Sequence, residues 1–335
     1  MSLATELHPI AAPPVADQSL HFDATVPRQL VHRAAVAETF PTDATRTGDD
    51  RYLIAAQLPR THSLYNDGPT QYHDLLLLSE VVRQAGTLVS HRFYDVPVGA
   101  IFPLRRAQIE ISDLDALATT NVPGELVIDM TMSELKRLSG ALTGTTMNAR
   151  LVIDGRPVGT ASGSGHFVQE SSYAALRRNR PPAGEPAALP PVRPAQADRV
   201  GRGDLRNVVV GELRRDPDGP GRSCAVLADT SHPSFFDHPQ DHLPGMLLLE
   251  AYRQTALLAV ADACVWAPES LLVVACDATF LRFAELDLQT LCTAVVGAPV
   301  LPRRGAAWVP VTLTLTQRGA TLSEATVLVA DVKGS

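Results

Sequence analysis

The sequence contains no run of about eighteen apolar residues, so no segment is expected to span a membrane as a helix. It also lacks a basic block. With a formal net charge of −7 over 335 residues, nothing is laid out to track a phosphate backbone, and nucleic acid is excluded as an expected partner. No cationic stretch followed by a long apolar run opens the chain, so residues 1–25 do not read as an export signal and are expected to form a flexible arm. Cys224, Cys264, Cys276 and Cys292 all fall in the second half and none forms a Cys-x-x-Cys pair, which excludes a zinc ribbon or a redox couple. Cysteines in apolar surroundings behave as small hydrophobes, and a reducing, cytoplasmic setting is expected. Neither a G-x-x-x-x-G-K-[ST] phosphate loop nor a G-x-S-x-G elbow occurs; Gly163-Ser-Gly165 reads as a strand bend. His238 and His242 are four apart, but Pro239 between them opposes the helical turn that such a ligand pair uses, so no metal is expected.

What is present is a duplication. His62-Ser-Leu-Tyr-Asn-Asp67, running on to Leu75-Leu-Leu-Leu-Ser-Glu80-Val-Val-Arg83-Gln84, matches His232-Pro-Ser-Phe-Phe-Asp237, running on to Gly245-Met-Leu-Leu-Leu-Glu250-Ala-Tyr-Arg253-Gln254. Each residue lies 170 positions after its partner, with Pro69 and Pro239 in the same frame. Identities at this density, with an apolar run in register, mark an internal repeat. The proline- and arginine-rich segment 177–199 reads as an exposed linker, giving an N-terminal domain over 26–176 and a C-terminal domain over 200–335.

The same order of elements is expected in both copies. A leading strand (35–40; 207–213) and a short strand (52–57; 224–228) precede a histidine-containing loop. A helix follows (75–93; 246–265), apolar almost all round and therefore buried. Strand-rich segments close each copy (108–111, 125–132, 147–153 and 159–168; 271–276, 291–296, 308–317 and 322–332). Val309, Val311, Leu313 and Leu315 alternate with Pro310, Thr312, Thr314 and Thr316, as in an antiparallel strand covered on one face. The expected class is α+β, with a continuous antiparallel sheet wrapped round two long central helices.

On a helix, positions i, i+3 and i+4 share a face. Glu80, Arg83 and Gln84 therefore form one cluster, and Glu250, Arg253 and Gln254 a second. Each offers an acceptor, a planar cation and an amide. A single Glu-x-x-Arg reads as a helix salt bridge. Two copies in buried helices argue for function, because a buried ion pair contributes little net stability. His62 and His232 match between the copies. Arg105, Arg106 and Arg282 follow the helices, within possible reach of an anion or simply on the surface.

The helix wrapped by a sheet resembles the hot-dog fold, and Phe235-Phe236-Asp237-His238-Pro239 through Pro244-Gly245 to Glu250-Ala251 is similar to the active loop of hot-dog β-hydroxyacyl-carrier-protein dehydratases, with His238 near the catalytic histidine. The double copy, the Val31-His32-Arg33 opening and the two Glu-x-x-Arg-Gln helices resemble the A-factor biosynthesis family over nearly the whole chain. That resemblance implies a double hot-dog and an acyltransferase. It implies transfer of a β-ketoacyl group from acyl carrier protein to the hydroxyl of dihydroxyacetone phosphate. The ester then closes to a butenolide phosphate, the first step towards γ-butyrolactone or furan signalling molecules that control antibiotic production. No resident cofactor is implied; the carrier protein's phosphopantetheine arm delivers the acyl group. Such chemistry needs an acceptor for the hydroxyl proton, donors for the thioester oxygen and cations for the phosphate. Glu80 and Glu250 are the candidate bases, with His62, His232 and His238 as further catalytic candidates. Arg83, Gln84, Arg253 and Gln254, then Arg105, Arg106 and Arg282, are the substrate-binding candidates, the arginines as two-point forks for phosphate. Without a suitable nucleophile in both copies, direct attack by the substrate hydroxyl is expected rather than an acyl-enzyme. A hot-dog dehydratase or thioesterase, and a non-catalytic acyl-ligand sensor, remain as alternatives. Acyl chain length and the choice between monomer and homodimer stay open.

Overall fold

The structure is a computed structural model and describes residues 20–68, 70–178, 191–300 and 306–332. In chain order the elements are β1 (Pro41–Gly48), β2 (Arg51–Leu58), α1 (Leu75–Tyr94), β3 (Leu104–Ile111), α2 (Leu114–Leu117), β4 (Gly124–Leu138), β5 (Ala141–Ile153), β6 (Arg156–His166) and α3 (Glu170–Arg178). They continue with β7 (Arg214–Arg215), β8 (Arg222–Ala225), α4 (Gly245–Cys264), β9 (Leu271–Phe280), β10 (Thr290–Val296), β11 (Ala307–Gln317) and β12 (Ala320–Asp331).

All twelve strands join one sheet in the order β1-β2-β4-β5-β6-β3-β9-β12-β11-β10-β8-β7. The second half mirrors the first about the antiparallel β3–β9 seam, where Ala107 faces Ala278 and Ile109 faces Cys276. Along β11, Val309, Val311, Leu313 and Leu315 are fully buried, while Thr312, Thr314 and Thr316 turn to the other face. The buried face holds α1 and α4, which touch one another and bury Leu77, Leu78, Val81, Leu88, Ala251, Tyr252, Ala256 and Val260 on several sides. This is the expected double hot-dog: two long helices side by side under a single sheet. The helix ends differ from the sequence reading by one residue. Asp74 caps α1 through its side chain, which accepts from the Leu76 N–H at 2.9 Å, and both helices stop at a left-handed residue, Asp95 or Val265.

The expected leading strands are not strands. Residues 35–40 form a 3-10 turn at Val36–Glu38 before β1, and 207–213 follow a matching turn at Leu205–Asn207. The reason lies on the helices. Gln84 accepts from the Phe40 N–H (3.0 Å) and donates to the Glu38 carbonyl (2.7 Å), while Gln254 does the same with the Val209 N–H (2.9 Å) and the Asn207 carbonyl (2.7 Å). Backbone groups held by a helix side chain are withdrawn from a sheet ladder.

The exposed-linker reading of 177–199 also changes where the structure describes it. Arg177, at the end of α3, binds Asp241 (Nε–Oδ2, 2.8 Å) and Glu285 (Nη2–Oε2, 2.7 Å) of the C-terminal half. Ala195 is buried and donates to the Val210 carbonyl at 3.0 Å. The segment is thus anchored at both ends. Residues 179–190, the arm before residue 20 and the Pro69 match lie outside the described residues. Among the described residues no helix is long and apolar enough to cross a membrane.

Candidate active site

Glu80 and Glu250 are fully buried on the facing helices. Glu80 accepts from Arg83 (Nε–Oε2, 2.8 Å; Nη2–Oε1, 2.7 Å), from Gln84 (2.6 Å) and from Arg33, which reaches it through Nε (3.1 Å) and Nη2. Glu250 accepts from Arg253 (2.7 Å through both Nε and Nη2), from Gln254 (2.5 Å) and from Arg202 (2.8 Å through both Nε and Nη2). Each carboxylate therefore lies between two guanidinium groups with an amide closing the cage.

Burial alone would push the Glu80 carboxyl up. Arg33 and Arg83, with the hydrogen bonds from Arg83 and Gln84, outweigh it and hold the group at about 2. Burial against Arg202 and Arg253 gives the same result, about 2, at Glu250. The sequence-based role of these carboxylates as bases changes accordingly. An anion with its lone pairs filled and its proton affinity lowered is a fixed counter-charge that aims the arginines. The sign of the linkage follows. A folded value below the ordinary 4.5 makes a stabilising contribution that is complete above that pH and is lost as pH falls towards about 2. The melting temperature is expected to hold from neutrality to about pH 5 and then drop steeply over that acid window. A melting curve flat down to pH 2 would show that the cages do not stabilise the fold.

The arginines that complete the cages, Arg33 and Arg202, are not among the site candidates drawn from the sequence, where Arg33 figures only in the Val31-His32-Arg33 opening. They are also where the halves interlock. Arg33 Nη1 donates to the Ser234 carbonyl (3.3 Å) of the second histidine loop; Arg202 Nη1 donates to the Leu64 carbonyl (2.7 Å) of the first and pairs with Asp74 (2.8 Å). Asp237 accepts from the Ala34 and Ala35 N–H groups (2.5 and 3.1 Å), and Asp67 from those of Gly203 and Asp204 (3.1 and 3.2 Å). The loop of each half thus fastens the turn that supplies the other half's second arginine.

Arg83 and Arg253 spend their Nε–Nη2 edge on the glutamates and their remaining Nη2 contact on the Val31 and Val200 carbonyls (3.4 and 3.0 Å). A free two-point fork for phosphate is therefore not what they present. Nη1 of each has no hydrogen-bond partner among the described residues, and both side chains line a mainly apolar cavity between the helices and the β3–β9 seam, walled by Leu75, Leu76, Val82, Met246, Leu249 and Val327. The cavity continues past Arg83, Leu104, Met147 and Gly163 into a space bounded by Thr87, Ser90, Phe102, His166 and Phe167. On the other side it continues past Leu75, Arg253 and Val273 into a more polar one bounded by Arg60, Asn66, His73, Thr119 and Thr120. One donor nitrogen at each end of an apolar channel is placed to meet the polar head of a long apolar ligand.

The other candidates fall elsewhere. His62, half-buried, and His232, buried, are loop anchors. Nδ1 of each accepts from two backbone N–H groups (3.2 and 3.3 Å in both copies), so the ring proton sits on Nε2, facing Glu38 (3.4 Å) or Asn207 (2.9 Å). Neither lines the channel. His238 is largely exposed, with Nε2 held by Gln240 at 2.6 Å, and His242 binds Asp241 at 2.7 Å. Gln84 and Gln254 are fully buried and spent on backbone and glutamate, so they serve the cage and not a ligand. Arg106 pairs across the seam with Asp277 (2.6 Å) and, unlike the others, is among the residues that line the cavity shared with Arg83 and Arg253. Arg105 is exposed at the β3–β6 register shift and Arg282 is exposed in the turn after β9; neither joins the cages.

Comparison with known proteins agrees with this architecture. The profile of the A-factor biosynthesis hotdog domain matches residues 16–169 and again 185–332. A protein of Streptomyces virginiae named 2-oxo-3-(phosphooxy)propyl 3-oxoalkanoate synthase is 35% identical over 78% of this chain and 84% of its own length. Its namesake in Streptomyces coelicolor is 33% identical over 78% and 79%. Among solved structures, the pyran synthase domain from module nine of the sorangicin pathway superposes with a TM-score of 0.50 at 14% identity, covering 87% of this chain and 97% of that one, a likeness that speaks for the fold alone. Two matched hotdog profiles in one chain, and relatives above 30% identity aligned over most of their length, lead to one conclusion: this chain is a member of the A-factor biosynthesis hotdog family.

Proposed function

We propose that the protein is an acyltransferase that joins a β-ketoacyl group, delivered as a thioester by acyl carrier protein, to the free hydroxyl of dihydroxyacetone phosphate. The names of the relatives describe the ester of those two parts: a 3-oxoalkanoate esterified to a 2-oxo-3-(phosphooxy)propyl group. The observation that carries the reading is the apolar channel with an open arginine nitrogen at its ends. The channel takes the acyl chain. Nη1 donates to the thioester oxygen as it becomes an oxyanion, which needs one well-placed donor and not a fork. The substrate hydroxyl attacks directly, the C–S bond breaks, and the ester leaves to close to a butenolide phosphate, the precursor of a γ-butyrolactone or furan signal. The phosphopantetheine arm is the only carrier required, and the protein holds no cofactor of its own.

Incubating the protein with a β-ketoacyl thioester, with and without dihydroxyacetone phosphate, tests this. The phosphorylated ester or its butenolide is expected only when both substrates are present. Equal release of free β-keto acid in both arms would make the protein a thioesterase, and consumption of neither substrate would leave an acyl-binding protein.

A further inference from the structure

The two ends of the channel are not chemically equal. The 170-residue frame that matches Arg83 with Arg253 also matches His91 with Ala261 and Gly68 with His238, and the Val-x-Arg turns, offset by 169, match His32 with Gly201. A β-carbon built on Gly201 would stand 3.3 Å from Arg253 Nη1, so the matching position in the first half puts His32 beside the open nitrogen of Arg83. In the second half the same place is occupied by two glycine backbones in contact: a β-carbon on Gly68 would lie 2.7 Å from the Gly201 carbonyl oxygen.

We propose that the chemistry runs at the Arg83 end alone, with His32, backed by His91, accepting the proton of the substrate hydroxyl. The inference rests on the acyltransferase reading above. Nε2 of His32 lies 2.8 Å from Nε2 of His91, and Nδ1 of His91 lies 2.6 Å from the Val96 carbonyl oxygen. A carbonyl can only accept, so His91 donates through Nδ1 and offers Nε2 as an acceptor. A neutral His32 can then carry the proton between the rings on Nε2 and accept through Nδ1. His32 is not itself a lining residue but packs edge-on against Phe102 (4.7 Å between centroids), which is. Burial, Arg83, His91 and His238 all hold the ring in its neutral, proton-accepting form, while the nearby Val98 carbonyl favours it once charged.

The backbone supplies an independent reason. His32 sits at φ 54°, in the left-handed region, where its counterpart Gly201 sits at φ 66°. Glycine adopts that conformation more readily than histidine, so a side chain is kept at one of two matched places where glycine would be easier. In the step itself, the hydroxyl proton moves to His32 Nδ1 as the new C–O bond forms at the thioester carbon. Collapse of the oxyanion held by Arg83 breaks the C–S bond, and the imidazolium returns its proton to the departing thiolate.

The test is His32→Gly, which places in the first half the residue found in the second. The variant should fold with an equal or higher melting temperature. Its kcat for ester formation should fall by about a hundred- to ten-thousand-fold, with KM for dihydroxyacetone phosphate changed only a few-fold, and added imidazole should restore part of the rate. His32→Asn, which also tolerates the left-handed backbone, should lose the same rate and gain less from imidazole. Ester formation by His32→Gly at the wild-type rate overturns the proposal and leaves the acyltransferase reading intact. A rise in KM without loss of kcat also overturns it, by making His32 a binding group. A wild-type protein that forms no ester from the two substrates overturns the proposal together with the reading beneath it.

Discussion

Replacing Arg83 by lysine should lower kcat for ester formation by about a hundred- to a thousand-fold, the cost of removing one oxyanion donor, and should change KM for dihydroxyacetone phosphate only modestly. The geometry sets this expectation. Arg83 lines the channel and pairs with Glu80 through Nε and Nη2, which leaves Nη1 without a hydrogen-bond partner among the described residues. A lysine ammonium is a single point and cannot both satisfy the glutamate and stand where Nη1 stands. The same change at Arg253 should have the smaller kinetic effect. Steady-state kinetics on the two variants, with both substrates varied, checks the expectation. If Arg83→Lys instead raises KM for dihydroxyacetone phosphate tenfold or more and leaves kcat alone, the guanidinium binds phosphate, as its residue type alone suggests.

The second large effect is on the fold. Changing Glu80 to Gln keeps the shape and removes the negative charge that Arg33 and Arg83 share. The Arg33 side chain is only 6% exposed, so water cannot replace the lost partner. Breaking one side of a buried ion pair costs on the order of 3–5 kcal/mol, and urea unfolding should show a loss of that order. Activity should fall with it, because nothing then aims Arg83. A Glu80→Gln protein as stable as the wild type, yet far slower, would return the carboxylate to the role of base that its place in the sequence first suggests.

The architecture was legible because hydrophobic periodicity and duplication are global signals. Helices apolar all round had to be buried, and two copies of one element order had to share a sheet. The site was legible only in part. Glu80, Arg83 and Gln84 stand out because a helix puts them on one face in a frame of 170. Arg33 and Arg202 are hidden by a single residue: Val31-His32-Arg33 and Val200-Gly201-Arg202 are offset by 169, so a gap-free comparison sets His32 against Arg202 and the shared Val-x-Arg vanishes. The leading strands were misread because Gln84 and Gln254 take backbone groups that a ladder would have used, a competition no local pattern encodes. The second guanidinium on Glu80 is out of sight for a similar reason, since it comes from 47 residues away.

The crossed fastening of the halves, in which Asp237 holds the turn bearing Arg33 and Asp67 the turn bearing Arg202, has a consequence for how such a molecule can change. Each half supplies every group that contacts its own glutamate, but the turn bearing its second arginine is held by the other half's loop, so opening one cage loosens the loop that steadies the other. The two ends are free to diverge in chemistry, as His32 and Gly201 have, while remaining a single cooperative unit in folding. One copy can drift from reaction to scaffold without becoming dispensable: its surviving duty is to keep its twin in shape.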